Sequence, residues 1–102
     1  MQPTEKPGTD YTMQVGVLTG RDVAGAVPQR IDAAAMPDSL TIRFRARRAV
    51  ENCALAVYAG ETRLVQRRRR IVTPGQMEEI TVKKTELAGV TDSIRIEIEE
   101  NI

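Results

Sequence analysis

Residues 40–47 read LTIRFRAR, and the alternation in this stretch decides the fold. Successive side chains of an extended chain point to opposite faces. Leu40, Ile42, Phe44 and Ala46 therefore share one side, and Thr41, Arg43, Arg45 and Arg47 share the other. A helical period of 3.6 would scatter both sets around its axis. The stretch reads as a half-buried β-strand, apolar side inward and guanidiniums outward.

The same period of two recurs on either side. Upstream, Tyr11–Leu18 (YTMQVGVL) alternates Met13, Val15 and Val17 with polar or small neighbours and stops at Thr19-Gly20. Ala26–Ile31 (AVPQRI) reads as one short strand, and Pro28, which has no N–H to give a ladder, assigns it to a sheet edge. Downstream, Cys53–Ala59 and Thr62 to about Val72 form a hairpin around Gly60-Glu61, a dipeptide suited to a type II′ turn. A two-residue loop sets Val57 opposite Leu64 and Leu55 opposite Gln66; a three-residue loop sets Leu55 opposite Val65. Pro74-Gly75 marks a turn before the strand Gln76–Val82 (QMEEITV). Thr85–Gly89 suits one helical turn, capped by Thr85 and ended by Gly89. The last strand, Ser93–Glu99 (SIRIEIE), turns Ile94, Ile96 and Ile98 inward and Arg95, Glu97 and Glu99 outward. About seven short strands, with turns roughly every ten residues, describe an immunoglobulin-like antiparallel β-sandwich. A small barrel is the alternative.

The totals agree with one such domain spanning residues 11–102. The chain has 102 residues, 41% of them hydrophobic and 28% charged. A domain of this size buries roughly 60–65% of its unfolded surface, enough for one core without staples. Aromatic residues are confined to Tyr11, Phe44 and Tyr58, so the core is aliphatic. Residues 1–10 (MQPTEKPGTD), polar with prolines at 3 and 7, read as a flexible lead-in or linker. The single cysteine, Cys53, excludes an internal disulfide and a zinc site of several cysteines, and its apolar setting (CALAVY) suits a small buried hydrophobe. The sequence shows neither a signal-peptide core nor an apolar run long enough to span a bilayer, which leads us to expect a cytoplasmic protein with no membrane partner.

Charge is distributed unevenly beneath a net value of +1. Residues 41–71 hold nine arginines against Glu51 and Glu61, while residues 72–102 hold three bases against seven acids. Four of the arginines, Arg67, Arg68, Arg69 and Arg70, are consecutive within QRRRRIVTPG (66–75). In a loose tail such a run suggests nucleic acid. Between two turn signals it reads as strand, with Arg67 and Arg69 projecting one way and Arg68 and Arg70 the other. One pair then lies toward the core side, its stems covering apolar surface while its charges reach water. If strand 40–47 shares the sheet, its arginines add to the cluster. Like charges side by side need counter-charges, and Glu78, Glu79, Glu97 and Glu99 are at hand.

Catalysis finds little support. There is no histidine, the commonest general base and metal ligand, so Cys53 has nothing to activate it. Gly16, Gly20 and Gly25 are spaced for neither a dinucleotide fingerprint nor a phosphate loop. Glu97 and Glu99 share a strand face as a hydrolytic pair might, but outward alternation accounts for them. We expect a chain that is not an enzyme by itself, with no catalytic, cofactor-binding or metal residues. Its interaction surface is made of Arg43, Arg45, Arg47, Arg67, Arg68, Arg69 and Arg70.

Three segments taken in order, AVPQRI (26–31), LTIRFRAR (40–47) and RRRRIVTPGQM (67–77), followed by a final alternating strand, resemble a known domain. It is the C-terminal domain of bacterial NAD(P)/FAD-dependent oxidoreductases of the pyridine-nucleotide-disulphide type, related to anaerobic glycerol-3-phosphate dehydrogenase. There a Val-Pro-Gln strand leads into a small β domain with a basic strand and a Pro-Gly-Glu-Met turn; here Gln76 stands in place of the glutamate. The resemblance covers residues 25–99 and implies a terminal module of a flavoenzyme. FAD and NAD(P) would belong to the parent's N-terminal portion, with none bound by this chain. The implied partner is the flavoprotein body or another copy of the chain. An independent sandwich binding anions or nucleic acid through the same arginines is the alternative.

Overall fold

Two sheets facing each other bury the alternating apolar residues of both, and a computed structural model, described over residues 14–90 and 92–100, has this arrangement. Its elements are β1 (Gln14–Thr19), β2 (Val23–Val27), β3 (Arg30–Asp32), β4 (Ser39–Ala46), β5 (Val50–Ala59), β6 (Thr62–Val72), β7 (Met77–Lys83), a single 3-10 turn (Lys84–Leu87) and β8 (Ser93–Glu100). One sheet runs β3-β1-β8-β5-β6 and the other β2-β4-β7. The protein is an all-β sandwich. The expected lead-in, residues 1–10, and the start of the first strand, Tyr11–Met13, lie outside the described residues.

The core lies between the sheets, where the sequence pattern puts it. Ile42 and Phe44 of β4, Ile80 and Val82 of β7, Leu55 and Val57 of β5, and Ile94 and Ile96 of β8 are all at most 1% exposed. Phe44 is the one aromatic among them and the largest fully buried side chain. Burying a side chain of this size stabilises the fold by roughly 2–3 kcal/mol.

In immunoglobulin lettering, β2-β4-β7 fill the places of A, B and E, and β6-β5-β8 those of C′, C and F. The position beside F, where the last strand G belongs, is occupied by β1. It runs parallel to β8, with Gly16 opposite Ser93 and Thr19 opposite Ile96. The five-stranded sheet is therefore mixed, where a wholly antiparallel sandwich was expected. Alternation reports which face of a strand is buried, and it carries no information on the direction of the neighbour.

Three further expectations are corrected. Ala26–Ile31 is not one strand: it divides at the cis Val27–Pro28 bond into β2 and β3, which belong to different sheets, and this raises the count to eight. Pro28 does mark a sheet edge, since β2 and β3 are both outermost strands. The β5–β6 hairpin turns at Gly60-Glu61 with Gly60 at φ +63°, as a two-residue turn requires, and Ala59 faces Thr62. Its register then shifts: Tyr58 faces Arg63 but Val57 faces Val65, so Leu64 is the extra residue of a bulge and Leu55 meets Arg67. Neither expected alignment holds, because the bulge lets Val57 and Val65, both buried, share the core face. The short helical turn starts at Lys84, and its N-terminus is held by Glu86, whose carboxylate accepts from the Lys83 N–H at 2.7 Å, instead of by Thr85.

Candidate interaction surface

The seven arginines proposed as a surface divide between the two sheets. Arg43 and Arg45 project from β4 on the outer face of the small sheet, and Arg47 follows in the turn after it. Arg67, Arg68, Arg69 and Arg70 lie on β6, the edge of the large sheet. Strand 40–47 and the basic run therefore do not share a sheet, and no single arginine face forms. The link between the two groups is acidic. Glu79 on β7 accepts from Arg43 Nε at 2.8 Å, and the adjacent Glu78 accepts from Arg69 Nε at 3.3 Å.

Arg67 and Arg69 are the pair on the core-side row, and of the two it is Arg69 that is half-buried. It sits opposite Cys53, in the row that includes Leu55 and Val57. Its partner Glu78 takes an inward position on β7, in phase with Ile80 and Val82, and is 8% exposed. A carboxylate so placed needs a counter-charge, because desolvating it alone would cost several kcal/mol. Arg69 supplies the charge, and its Nη2 also reaches the Glu79 carbonyl at 3.4 Å. The pair ties β6 to β7, the two sheet edges that meet on this side of the sandwich.

Arg67 and Arg69 also reach back to the backbone of their own strand. Arg67 Nη1 donates to its neighbour's carbonyl, Gln66 O, at 2.8 Å, and Arg69 Nη1 does the same to Arg68 O at 3.0 Å. The two carbonyls lie two residues apart, the spacing of the groups that a strand presents along one side. Arg68 stands opposite Ala54, which stands opposite Glu99 of β8, so this row belongs to the outer face. Ala54 and Ala56 lie on that face yet are fully buried, roofed by the longer side chains of the flanking strands.

Counter-charges come mostly from the acidic last third of the chain, as expected. Arg63 approaches Glu99 at 3.9 Å, Arg95 pairs with Glu97, and Gln66 Nε2 donates to Glu99 at 3.2 Å. The Tyr58 hydroxyl also donates to Glu99, and this bond, with some burial, holds its pKa above the usual phenol value. Arg48 is a contact that sequence reasoning missed. Its guanidinium forks onto Asp22 at 3.1 and 3.2 Å and also meets Glu100, which raises its pKa, first through Asp22. Arg48 and Asp22 both lie in turns, where no period signals a pairing. Among the described residues, Arg45, Arg47, Arg67, Arg68 and Arg70 have no carboxylate at ion-pair distance.

Cys53 is 1% exposed, its Sγ directed at Val50 O at 3.7 Å. Burial, reinforced by the Glu78 charge, pushes its thiol pKa up. It is a core residue and a poor nucleophile. Near it Asn52, Arg68, Arg69 and Arg70 border a shallow open hollow. A second hollow, at the hairpin end, is lined by Leu18, Tyr58, Leu64, Val90 and Arg95, with the Arg95 guanidinium 5.3 Å from the centre of the Tyr58 ring. Among the described residues no group of three or more metal-ligating side chains comes together. No helix there is long and apolar enough to cross a membrane.

Comparison of the chain with protein-family models, with curated proteins and with solved structures finds no match.

Proposed function

We propose that the chain is a non-catalytic interaction module that docks on an acidic protein surface through its arginines. One observation carries this reading. Of the nine arginines in residues 41–71, Arg43, Arg48, Arg63 and Arg69 have carboxylate partners, while Arg45, Arg47, Arg67, Arg68 and Arg70 have none among the described residues. Internal pairing thus accounts for part of the basic excess and leaves the rest at the surface, where it steers association with negative partners. The resemblance in residues 25–99 suggests a specific setting: a C-terminal domain of an FAD-dependent oxidoreductase, packed on the flavoprotein body that would hold FAD and NAD(P).

Replacing Arg45, Arg68 and Arg70 together by glutamine tests the proposal, because none of them has an internal partner to lose. Affinity for the flavoprotein body, measured by titration calorimetry, should fall about tenfold or more, at roughly 0.5 kcal/mol for each of the three charge pairs lost. Unchanged affinity would refute the role of the arginines.

A further inference from the structure

We infer that the open side of β6 takes up an extended acidic segment of a partner chain as an added strand. The inference rests on the interaction-module reading above and specifies its mode. A sandwich has four outermost strands, and each leaves a row of backbone N–H and C=O groups without a ladder partner. Three of them are blunted here. β3 has only three residues. β2 is broken by a register shift between Ala24 and Val27, with Gly25 at φ +64°. β7 carries the inward charge of Glu78, and its Glu79 carbonyl is already engaged by Arg69. That leaves β6, eleven residues long and paired without a register shift from Val65 to Val72 against β5.

The side chains along β6 select what can approach it. Arg67 and Arg69 fold back onto the carbonyls of Gln66 and Arg68, which repels a basic strand and occupies acceptors that a neutral strand would use. A strand with carboxylates at alternate positions changes this balance. Its carboxylates, all on one face, attract the outward guanidiniums of Arg68 and Arg70, and its own N–H groups displace Arg67 Nη1 and Arg69 Nη1 from the carbonyls of Gln66 and Arg68. Charge-assisted bonds of this kind are about twice as strong as neutral ones. A second copy of the chain is a poor occupant, because two β6 edges side by side would set arginine against arginine. Nucleic acid could neutralise the charge but has no backbone amides to give to the edge.

The test uses the full chain and a fluorescent seven-residue peptide, Thr-Glu-Val-Glu-Val-Glu-Thr. Three controls accompany it: the same peptide with lysine for glutamate, the acidic peptide with every backbone amide N-methylated, and a single-stranded oligonucleotide. The acidic peptide should bind, measured by fluorescence anisotropy, and should slow hydrogen exchange at amides of β6. The lysine peptide should not bind, and N-methylation should weaken binding roughly tenfold or more. The double variant R68E/R70E should reverse the preference between the acidic and lysine peptides. Equal binding of the N-methylated peptide, protection elsewhere than β6, preferential binding of the oligonucleotide, or no binding at all would overturn strand addition. These failures leave the docking reading standing if the glutamine variant of Arg45, Arg68 and Arg70 still loses affinity for its partner; if it does not, that reading falls separately.

Discussion

At Cys53, Glu78 and Tyr58 a single side chain's surroundings decide its chemistry. The Cys53 thiol is enclosed by the core and faces a carboxylate, so its thiolate is disfavoured. It should resist alkylation in the native protein at pH 8 and react once urea unfolds the chain, as mass spectrometry of labelled protein will show. Because its folded pKa lies above the ordinary value of about 9, the folded state holds this proton more tightly than the unfolded one. Its contribution to stability is complete below pH 9 or so and is lost as pH rises through the folded value. Tyr58, hydrogen-bonded to Glu99, behaves with the same sign. Ultraviolet titration should therefore find its phenol ionising above pH 10, and Glu99→Gln should bring it down. Glu78 is a carboxylate in a nearly dry position, paired with Arg69 at 3.3 Å. Glu78→Ala leaves that guanidinium without its partner and should destabilise the protein by about 1–2 kcal/mol in urea titration, less than for a fully buried pair because Arg69 is partly solvated.

Strands here owe their boundaries to turn chemistry as much as to their apolar faces. The β5–β6 hairpin depends on Gly60, whose φ of +63° is one that side-chain-bearing residues adopt only with strain. Gly60→Ala should cost about 1 kcal/mol in thermal unfolding without altering the sheet, because the space around its Cβ position is open. A bulge at Leu64 then re-phases β6 so that Val65 reaches the core beside Val57. Asn52, at φ +51°, does a comparable service on β5: Val50 on one side of it and Cys53 on the other are both buried, although strict alternation would put them on opposite faces. The basic run lies between these two irregularities. Its arginines project alternately, and only Arg69 turns to the seam.

Across the whole molecule, Phe44 is packed between the two sheets, and the arginines lie on the outer face of the small sheet and along the edge of the large one. Phe44→Ala should cost about 3–5 kcal/mol, since it empties the largest buried volume in an otherwise aliphatic core. That is a large share of the 5–15 kcal/mol by which such domains are stable, and calorimetry should find the transition lowered or lost. The combined glutamine replacement of Arg45, Arg68 and Arg70 should instead leave the melting temperature nearly unchanged, because none of the three has an internal partner. The two variants thus separate fold from docking.

Much of this was legible in the linear chain. The alternation in LTIRFRAR and SIRIEIE identified the buried residues of β4 and β8, because the pleat of an extended backbone turns local order directly into faces. The turn residues at Gly60-Glu61 and Pro74-Gly75 located the reversals for an equally local reason: few residues tolerate those dihedrals. Which strands became neighbours was decided by tertiary structure alone. The parallel seat of β1 beside β8, the division at Pro28 between two sheets and the Leu64 bulge all serve to close one core around a given total volume, a constraint that no window of ten residues contains. The same holds for the arginines. Their abundance was plain in the sequence, but whether each met a carboxylate depended on strands and turns brought together by that core: Asp22 with Arg48, Glu78 with Arg69.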